Sequence, residues 1–217
     1  MDIGKRRITE EGEVYVNPSI KLVGSVGLVK GSNWLSRMIR KFMRLYRNSG
    51  KFDKNKVTGN YNHAFILINI WGELYCAEAL AKGITLRPFE IAYPKNRYAD
   101  LKMFQLPILF DEYQLNELSK LAANYSFNPT RYEYTSFFIQ ILYIVSTWLH
   151  KYVKFIKPVY VEIGKKNKRF YCSEYVALVL QQFLDRFYPN YGVLFDNPRR
   201  VNPLDIEASN MESFYIE

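Results

Sequence analysis

The chain has 217 residues and a mass of 25.7 kDa, and no repeat or linker rich in Pro, Gly or Ser divides it, which predicts a single domain over residues 1–217. Hydrophobic residues make up 48% and charged residues 24%, which excludes a disordered protein, and two Cys and two His are too few for a disulfide framework or a four-ligand zinc cluster, so no cofactor is expected. The net charge of +9 favours partners that carry phosphate, either nucleic acid or anionic lipid.

Neither a leader nor a membrane anchor is predicted from the sequence. Residues 1–12 are charged and lack an apolar run, so we expect no secretory signal. The longest uncharged apolar run, residues 136–149, is shorter than the roughly 20 residues that a membrane span needs. These features predict a soluble cytoplasmic protein.

Loose apolar alternation over residues 13–29 predicts one or two short strands.

Most of the positive charge lies in one segment. Residues 30–56 contain nine Lys or Arg side chains and a single acid, Asp53. Within this segment a helix is predicted from a cap at Ser32 or Asn33 to about Arg47, closed by residues 48–50, with an apolar half and a basic half. A basic amphipathic helix over residues 33–47 suits an anionic membrane surface. The alternative is that its apolar half packs on the core and its basic half faces solvent.

The rest of the chain alternates between predicted strands and predicted helices. His63 to Ile70 is β-rich and apolar on both faces, which predicts a central strand, and Trp71-Gly72 is a turn into a second strand. The other predicted elements are strands at 74–80 and 102–109 and helices at 111–124, 135–152 and 172–187. This mixture predicts an α+β fold in which an antiparallel sheet packs against helices.

Cys172 stands where the last of these helices is predicted to begin. A helix N-terminus lowers the pKa of a thiol through its unpaired N–H groups and its dipole. The same N–H groups can hold the oxyanion of an acyl-transfer intermediate. Cys172 is therefore a candidate nucleophile.

A cysteine hydrolase also needs a histidine base and a group that orients the imidazole. His63 opens a buried strand, where its position would be fixed, whereas interaction with a helix terminus explains His150. If the turn at 71–72 has two residues, Glu78 lies on the same face as His63 as its diagonal neighbour, about 7–8 Å away between Cα atoms. A slip of one residue would put the two side chains on opposite faces. Cys172, His63 and Glu78 thus form a candidate triad.

Alternatives exist for each member of the triad. A lone Cys on an apolar helix is commonly a small buried residue, and a Glu in a strand is commonly solvated. Cys76 shares the face of Glu78 and is the competing nucleophile, although a position in the middle of a strand offers it no helix N–H groups.

Three short motifs follow one another along the chain. In order they are Tyr61-Asn62-His63-Ala64, then Cys76-Ala77-Glu78-Ala79 with Gly83-Ile84 after it, then Tyr171-Cys172-Ser173-Glu174. These motifs resemble those of the circularly permuted NlpC-type papain-like cysteine hydrolases. Tyr132-Glu133-Tyr134 and Pro203-Leu204-Asp205 resemble smaller family features. As in the permuted family, the His precedes the Cys. The chain departs from the family pattern in lacking an acid beside Gly24 and Gly27 and in an apolar segment, a possible helical insertion near 135–157.

The resemblance implies hydrolysis or transfer of an acyl group through a thioester on Cys172, with His63 as base and then acid and Glu78 holding its ring. Relatives of this kind cleave amide bonds in cell-wall peptides, and the related lecithin:retinol acyltransferase group acts on lipid esters. We expect a peptide-like amide substrate, with a lipid ester as the alternative. Tyr61 and Tyr171 flank the proposed catalytic residues as candidate substrate-binding residues, although ordinary aromatic packing explains them equally well.

A non-enzymatic nucleic-acid-binding module is the third possibility. Net charge and aromatic content permit it, since basic residues contact phosphates and aromatic rings stack on bases. No nucleic-acid-binding motif occurs in the sequence. Nucleic acid is therefore the least favoured partner.

Overall fold

The computed structural model describes residues 7–9, 12–14, 20–127, 131–132, 142, 145–146, 149–150, 152–155, 169–192, 194–198 and 201–216. The predicted helix at 135–152, the possible insertion at 135–157 and most of the Tyr132-Glu133-Tyr134 motif fall largely outside these residues. The described residues within 135–152 are helical, namely 142, 145, 146, 149, 150 and 152.

The fold is α+β, with a six-stranded antiparallel sheet packed against helices, as predicted. Its strands follow the order β10-β7-β3-β4-β5-β6, so the predicted central strand β4 lies inside the sheet. The strands are β1 Arg7–Thr9, β2 Gly12–Val14, β3 Val26–Val29, β4 His63–Ile70, β5 Glu73–Leu80, β6 Gly83–Pro88, β7 Leu101–Gln105, β8 Arg131–Tyr132, β9 Arg169–Phe170 and β10 Glu212–Phe214. Strands β1 and β2 form a separate hairpin, and β8 and β9 form a short parallel pair.

Five α-helices lie entirely within the described residues. They are α1 Trp34–Tyr46, α2 Phe89–Ala92, α3 Glu112–Phe127, α4 Cys172–Phe187 and α5 Pro203–Glu207. Short 3₁₀ turns occupy Ile20–Leu22 and Lys95–Asp100. Within the described part of the chain, no helix has the length and apolar character to cross a bilayer.

The β4–β5 hairpin has the predicted two-residue turn. Trp71 and Gly72 both adopt positive φ, 53° and 87°, which is the type I′ geometry that matches the twist of the flanking strands. The register runs from Ile70 opposite Glu73 to Ile66 opposite Ala77. The prediction that placed Glu78 on the face of His63 depended on this register, which the structure confirms.

Parts of the secondary structure differ from the sequence prediction. The strand predicted at 102–109 ends at Gln105, because Pro107 has no N–H to donate to a neighbouring strand. The chain after α1 does not stop at residues 48–50 but continues as one π-helical turn over Arg47–Lys51. Strand β6 was not predicted, since it offers few apolar residues and ends in Pro88.

The sheet has a core on each face. Helices α3 and α4 cover one face, where Ala64, Ile66 and Ala77 point. The other face carries Phe65 and Cys76. It is covered by the segment that follows β6, including Phe89, Ala92 and Tyr93.

Helix α1 uses both of its faces structurally. Asn33 caps it by accepting the N–H of Ser36 at 2.7 Å. Its apolar side packs in a third cluster with members Met43, Tyr46, Val57 and Leu204. On the basic side, Arg40 donates to the carbonyl of Gly31, and Arg44 donates to Oδ1 of Asn60 at 2.6 Å. The apolar half therefore packs on the protein, and part of the basic half ties α1 to neighbouring loops.

Candidate active site

Cys172 is the first residue of α4, as predicted. Tyr171 is the N-cap, with the extended backbone (ψ 166°) from which a helix begins. The hydroxyl of Ser173 donates to the carbonyl of Val201 at 2.6 Å and so ties this helix end to the C-terminal segment. Cys172 is 5% exposed, and both cysteines are free thiols. The thiol therefore sits in a nearly dry position beside N–H groups that have no partner within the helix.

His63 opens β4 and joins the other two predicted residues. Its Nε2 lies 2.6 Å from Oε2 of Glu78, and its side chain is 18% exposed. Cys172 is close enough to His63 for each group to shift the pKa of the other, and since Nε2 faces Glu78, the ring nitrogen available to the thiol is Nδ1. The structure thus brings together the three predicted residues, with His63 between Cys172 and Glu78.

The carboxylate of Glu78 is completely buried and fully partnered. Its Oε2 accepts from His63 and from the hydroxyl of Tyr93 at 3.1 Å. Its Oε1 accepts from Nε and Nη2 of Arg87, at 2.7 and 2.5 Å. Four donors to one buried carboxylate offset the cost of removing its charge from water.

The electrostatics favour a thiolate–imidazolium pair. Burial is the largest influence on Cys172 and raises the thiol pKa, but the charge and hydrogen bond of His63 and the N–H groups of Ala64 and Ser173 outweigh it, so the pKa is lowered. Burial likewise lowers the pKa of His63, but the Cys172 thiolate and the hydrogen bonds to Cys172 and Glu78 raise it to about 10. Both shifts favour a proton on the imidazole over one on the sulfur.

The pKa values of Glu78 and Cys76, which lie on the same face of β5, are shifted in opposite directions. Burial alone would raise the pKa of Glu78, but the hydrogen bond and charge of His63, followed by those of Arg87, lower it below the ordinary value. Cys76 shares this face, and burial with the nearby charge of Glu78 raises the pKa of its thiol. Cys76 thus stays a protonated, fully buried thiol, which makes it the poorer nucleophile.

The backbone N–H groups of Ala64 and Ser173 lie close enough to Cys172 to lower the pKa of its thiol against the effect of burial. The described register of β4 with β5 ends at Ile66, so Ala64 lies beyond it, near the open end of the hairpin. The sulfur therefore lies between the N-terminus of α4 and the start of β4. N–H groups in this position stabilise negative charge on the sulfur or on an attached oxyanion.

The loop before His63 is fixed at two points. The amide of Asn62 accepts the N–H of Gly31 at 2.8 Å and donates to Oγ of Ser36 at 3.0 Å. A Cβ on Gly31 would lie 2.4 Å from Oγ of Ser36, so this close approach requires glycine. Asn62, the residue directly before His63, thus links the start of β4 to the start of α1.

The structure also describes the other residues singled out in the sequence. Tyr171, directly before Cys172, is 4% exposed, and Tyr61 is partly buried and lies near Tyr215. His150 is helical and partly buried. The partner of the Cys172 thiol is His63.

The sequence-based prediction missed Arg87 and Tyr93. The signal for Arg87 lies in the β5–β6 hairpin, in which Ala81-Lys82 is a two-residue turn and Leu80 pairs with Gly83. This register makes Arg87 the diagonal neighbour of Glu78, by the same rule that paired Glu78 with His63. Tyr93 follows a short helix and is not accessible to a pairing rule.

No family model matches the chain, and no curated protein matches it. The crystal structure of the metalloprotein YiiX from Escherichia coli O157:H7, a DUF1105 protein, is similar in fold. The similarity covers 90% of this chain and 97% of that chain, with 14% identity and a TM-score of 0.51. Among the residues described in our structure, no group of three or more His, Cys, Asp or Glu side chains could hold a metal ion.

Proposed function

We propose that this protein is a cysteine hydrolase that cleaves a peptide-like amide bond through a thioester on Cys172. The observation that carries the proposal is the hydrogen-bonded series of Cys172, His63 and Glu78, with the sulfur at the N-terminus of α4. A nucleophile, a base within hydrogen-bond reach and a third group that orients the base form the arrangement that covalent acyl transfer needs. Burial keeps water from weakening these interactions.

The reaction follows from the protonation states. The Cys172 thiolate attacks the amide carbonyl carbon, and the oxyanion that forms is stabilised by N–H groups beside the sulfur. Collapse of this intermediate breaks the C–N bond, and the His63 imidazolium gives its proton to the leaving amine. A thioester remains. His63, now neutral, takes a proton from water, the hydroxide adds to the thioester carbonyl, and departure of the thiolate releases the carboxylic acid.

We further propose that the fold is of the permuted papain-like, NlpC-type kind. Its support is the chain order, in which the His strand and the Glu strand precede the helix that begins at Cys172. The motif resemblance and the placement of Ser173 and Glu174 in the buried first turn of α4 are consistent with it.

The proposed function can be tested with an activated ester and with amides. On incubation with p-nitrophenyl acetate, intact mass should show one acetyl group on Cys172, and the Cys172→Ala variant should show none while Cys76→Ala behaves as wild type. A panel of acyl-peptide anilides then tests for amide turnover. The proposal fails if Cys172→Ala turns over every accepted substrate as fast as the wild type.

A second candidate, acyl transfer on a lipid ester with the same residues, is favoured by the outer surface of α1. Trp34, Arg37 and Lys41 have the spacing that places them on one helix face, and all three are exposed, Trp34 to 69%. An indole beside two cations suits the headgroup region of an anionic bilayer. Asn62, the residue directly before His63, is hydrogen-bonded to the start of this helix, so α1 and the site lie on adjoining elements.

Binding to vesicles tests this second candidate. At low salt we expect the protein to bind vesicles of phosphatidylcholine with phosphatidylserine more tightly than phosphatidylcholine alone. The double variant Arg37→Gln/Lys41→Gln should bind about 30-fold more weakly, from about 1 kcal/mol per cation. The matched control Lys54→Gln/Lys56→Gln removes equal charge from exposed positions of the same basic segment and should bind nearly as wild type. Absence of wild-type binding, or equal loss in the control, removes this candidate.

A further inference from the structure

The two oxygens of the Glu78 carboxylate accept hydrogen bonds from different residues. Oε1 receives both described bonds from Arg87, and Oε2 receives those from His63 and Tyr93. A carboxylate in a strand can rotate about its terminal bond, so the group that occupies one oxygen decides where the other points. Arg87, with a planar fork of donors and a permanent charge, is suited to that task.

Arg87 and Tyr93 are themselves held by the fold. Arg87 lies opposite Cys76 in the β5–β6 ladder. The ring of Tyr93 stacks on Phe65 with centroids 4.7 Å apart, and the Arg87 guanidinium lies 6.0 Å from the centroid of the Tyr93 ring. A Cβ on Gly27 would lie 2.0 Å from Cζ of Phe65, so a glycine in β3 makes room for this stack. Tyr93 therefore packs on β4, the strand that carries His63, and Arg87 on β6 lies against the Tyr93 ring.

We propose that Arg87 and Tyr93 are positioning residues that keep the Glu78 carboxylate ionised and turned so that Oε2 serves His63. This inference rests on the proposed function, because its consequence is read on the Cys172 thiolate. Without the guanidinium, a completely buried carboxyl would favour its neutral form. A neutral Glu78 no longer stabilises the imidazolium, and the proton of His63 would return to the sulfur.

The inference is tested by the pH dependence of iodoacetamide labelling at Cys172 in otherwise unmodified protein. In Arg87→Met we expect the acid limb of the labelling profile to move to higher pH by about one unit or more, as loss of a cation beside a carboxylate predicts. Labelling at pH 6 should fall about tenfold. Arg87→Lys, which restores the charge without the fork, should return the limb towards the wild-type pH. Tyr93→Phe keeps the ring stack but removes one donor to Glu78. Its labelling at pH 6 should fall less than that of Arg87→Met.

Lys82→Met is the matched control, because it removes one positive charge from the exposed turn of the same hairpin. Its profile should match the wild type. If wild-type Cys172 shows no preferential labelling, the proposed function fails. If the wild type labels rapidly and Arg87→Met keeps its acid limb, only the present inference is overturned. Should Arg87→Met not fold, an unchanged profile in both Arg87→Lys and Tyr93→Phe overturns it equally.

Discussion

Replacement of His63 by alanine is expected to slow iodoacetamide labelling of Cys172 at pH 6 by about 100-fold. In the wild type, the charge and hydrogen bond of His63 lower the pKa of Cys172 against the effect of burial. Without the imidazole, burial is left to raise that pKa to or above the ordinary value of about 8.5, so only about one thiol in 300 is ionised at pH 6. The higher intrinsic reactivity of a more basic thiolate recovers a small part of the loss.

The controls for this experiment isolate the pair. Cys172→Ala should abolish rapid labelling altogether, whereas Cys76→Ala and His150→Ala should label as wild type. The rate of His63→Ala should rise steeply with pH, as expected for a free thiol. A wild-type profile in His63→Ala, or rapid labelling that persists in Cys172→Ala, would contradict the ion pair.

Local pairing rules explain why so much of the site could be predicted. A two-residue turn at Trp71-Gly72 fixes the strand register, and the period of two along each strand then places Glu78 on the face of His63. The N-terminus of α4 could be predicted at Cys172 from the periodicity of the apolar residues that follow it. Both arguments use contacts of short range, for which sequence spacing determines geometry.

Other parts of the site depend on packing that spacing does not encode. Tyr93 reaches Glu78 because its ring stacks on Phe65, and Phe65 in turn needs the space above Gly27. The N–H of Ala64 faces Cys172 only because α4 packs across the end of β4. Residue spacing leaves the role of α1 open for the same reason, because only the folded chain shows that Arg40 and Arg44 are bonded to the loops at Gly31 and Asn60.

The arrangement also explains how a carboxylate, a thiolate and two cations coexist where water is scarce. Each negative group has a positive neighbour: His63 faces both Cys172 and Glu78, and Arg87 faces Glu78 from the other side. Because His63 serves two anions, its charge depends on both. The stability of the fold and the reactivity of the thiol should therefore respond together when Glu78 is neutralised.

Substitution of Glu78 by glutamine keeps the shape and removes the charge, and we expect it to lower the free energy of unfolding by about 2 to 3 kcal/mol at pH 7. Breaking a fully buried ion pair typically costs roughly 3–5 kcal/mol. The loss is smaller here because the side chain of Arg87 is 37% exposed and water can solvate part of its charge. Labelling of Cys172 at pH 6 should fall about tenfold, since the pKa of His63 loses the support of the carboxylate.

The pH dependence of unfolding makes this prediction specific to the charge. The pKa of Glu78 is lower in the folded protein than the ordinary value of about 4.3, so its ionisation stabilises the fold above that pH, and the stabilisation is lost as pH falls through the folded pKa. The free energies of unfolding of the wild type and Glu78→Gln, measured in urea, should show the whole difference above about pH 5. The two values should converge in more acidic solution. Glu117→Gln, which removes a partly buried carboxylate paired with Lys120 and Arg186, is the matched control and should cost much less. Equal stability of Glu78→Gln and wild type at pH 7, or a difference that does not shrink in acid, would show that the charge of Glu78 does not hold the site together.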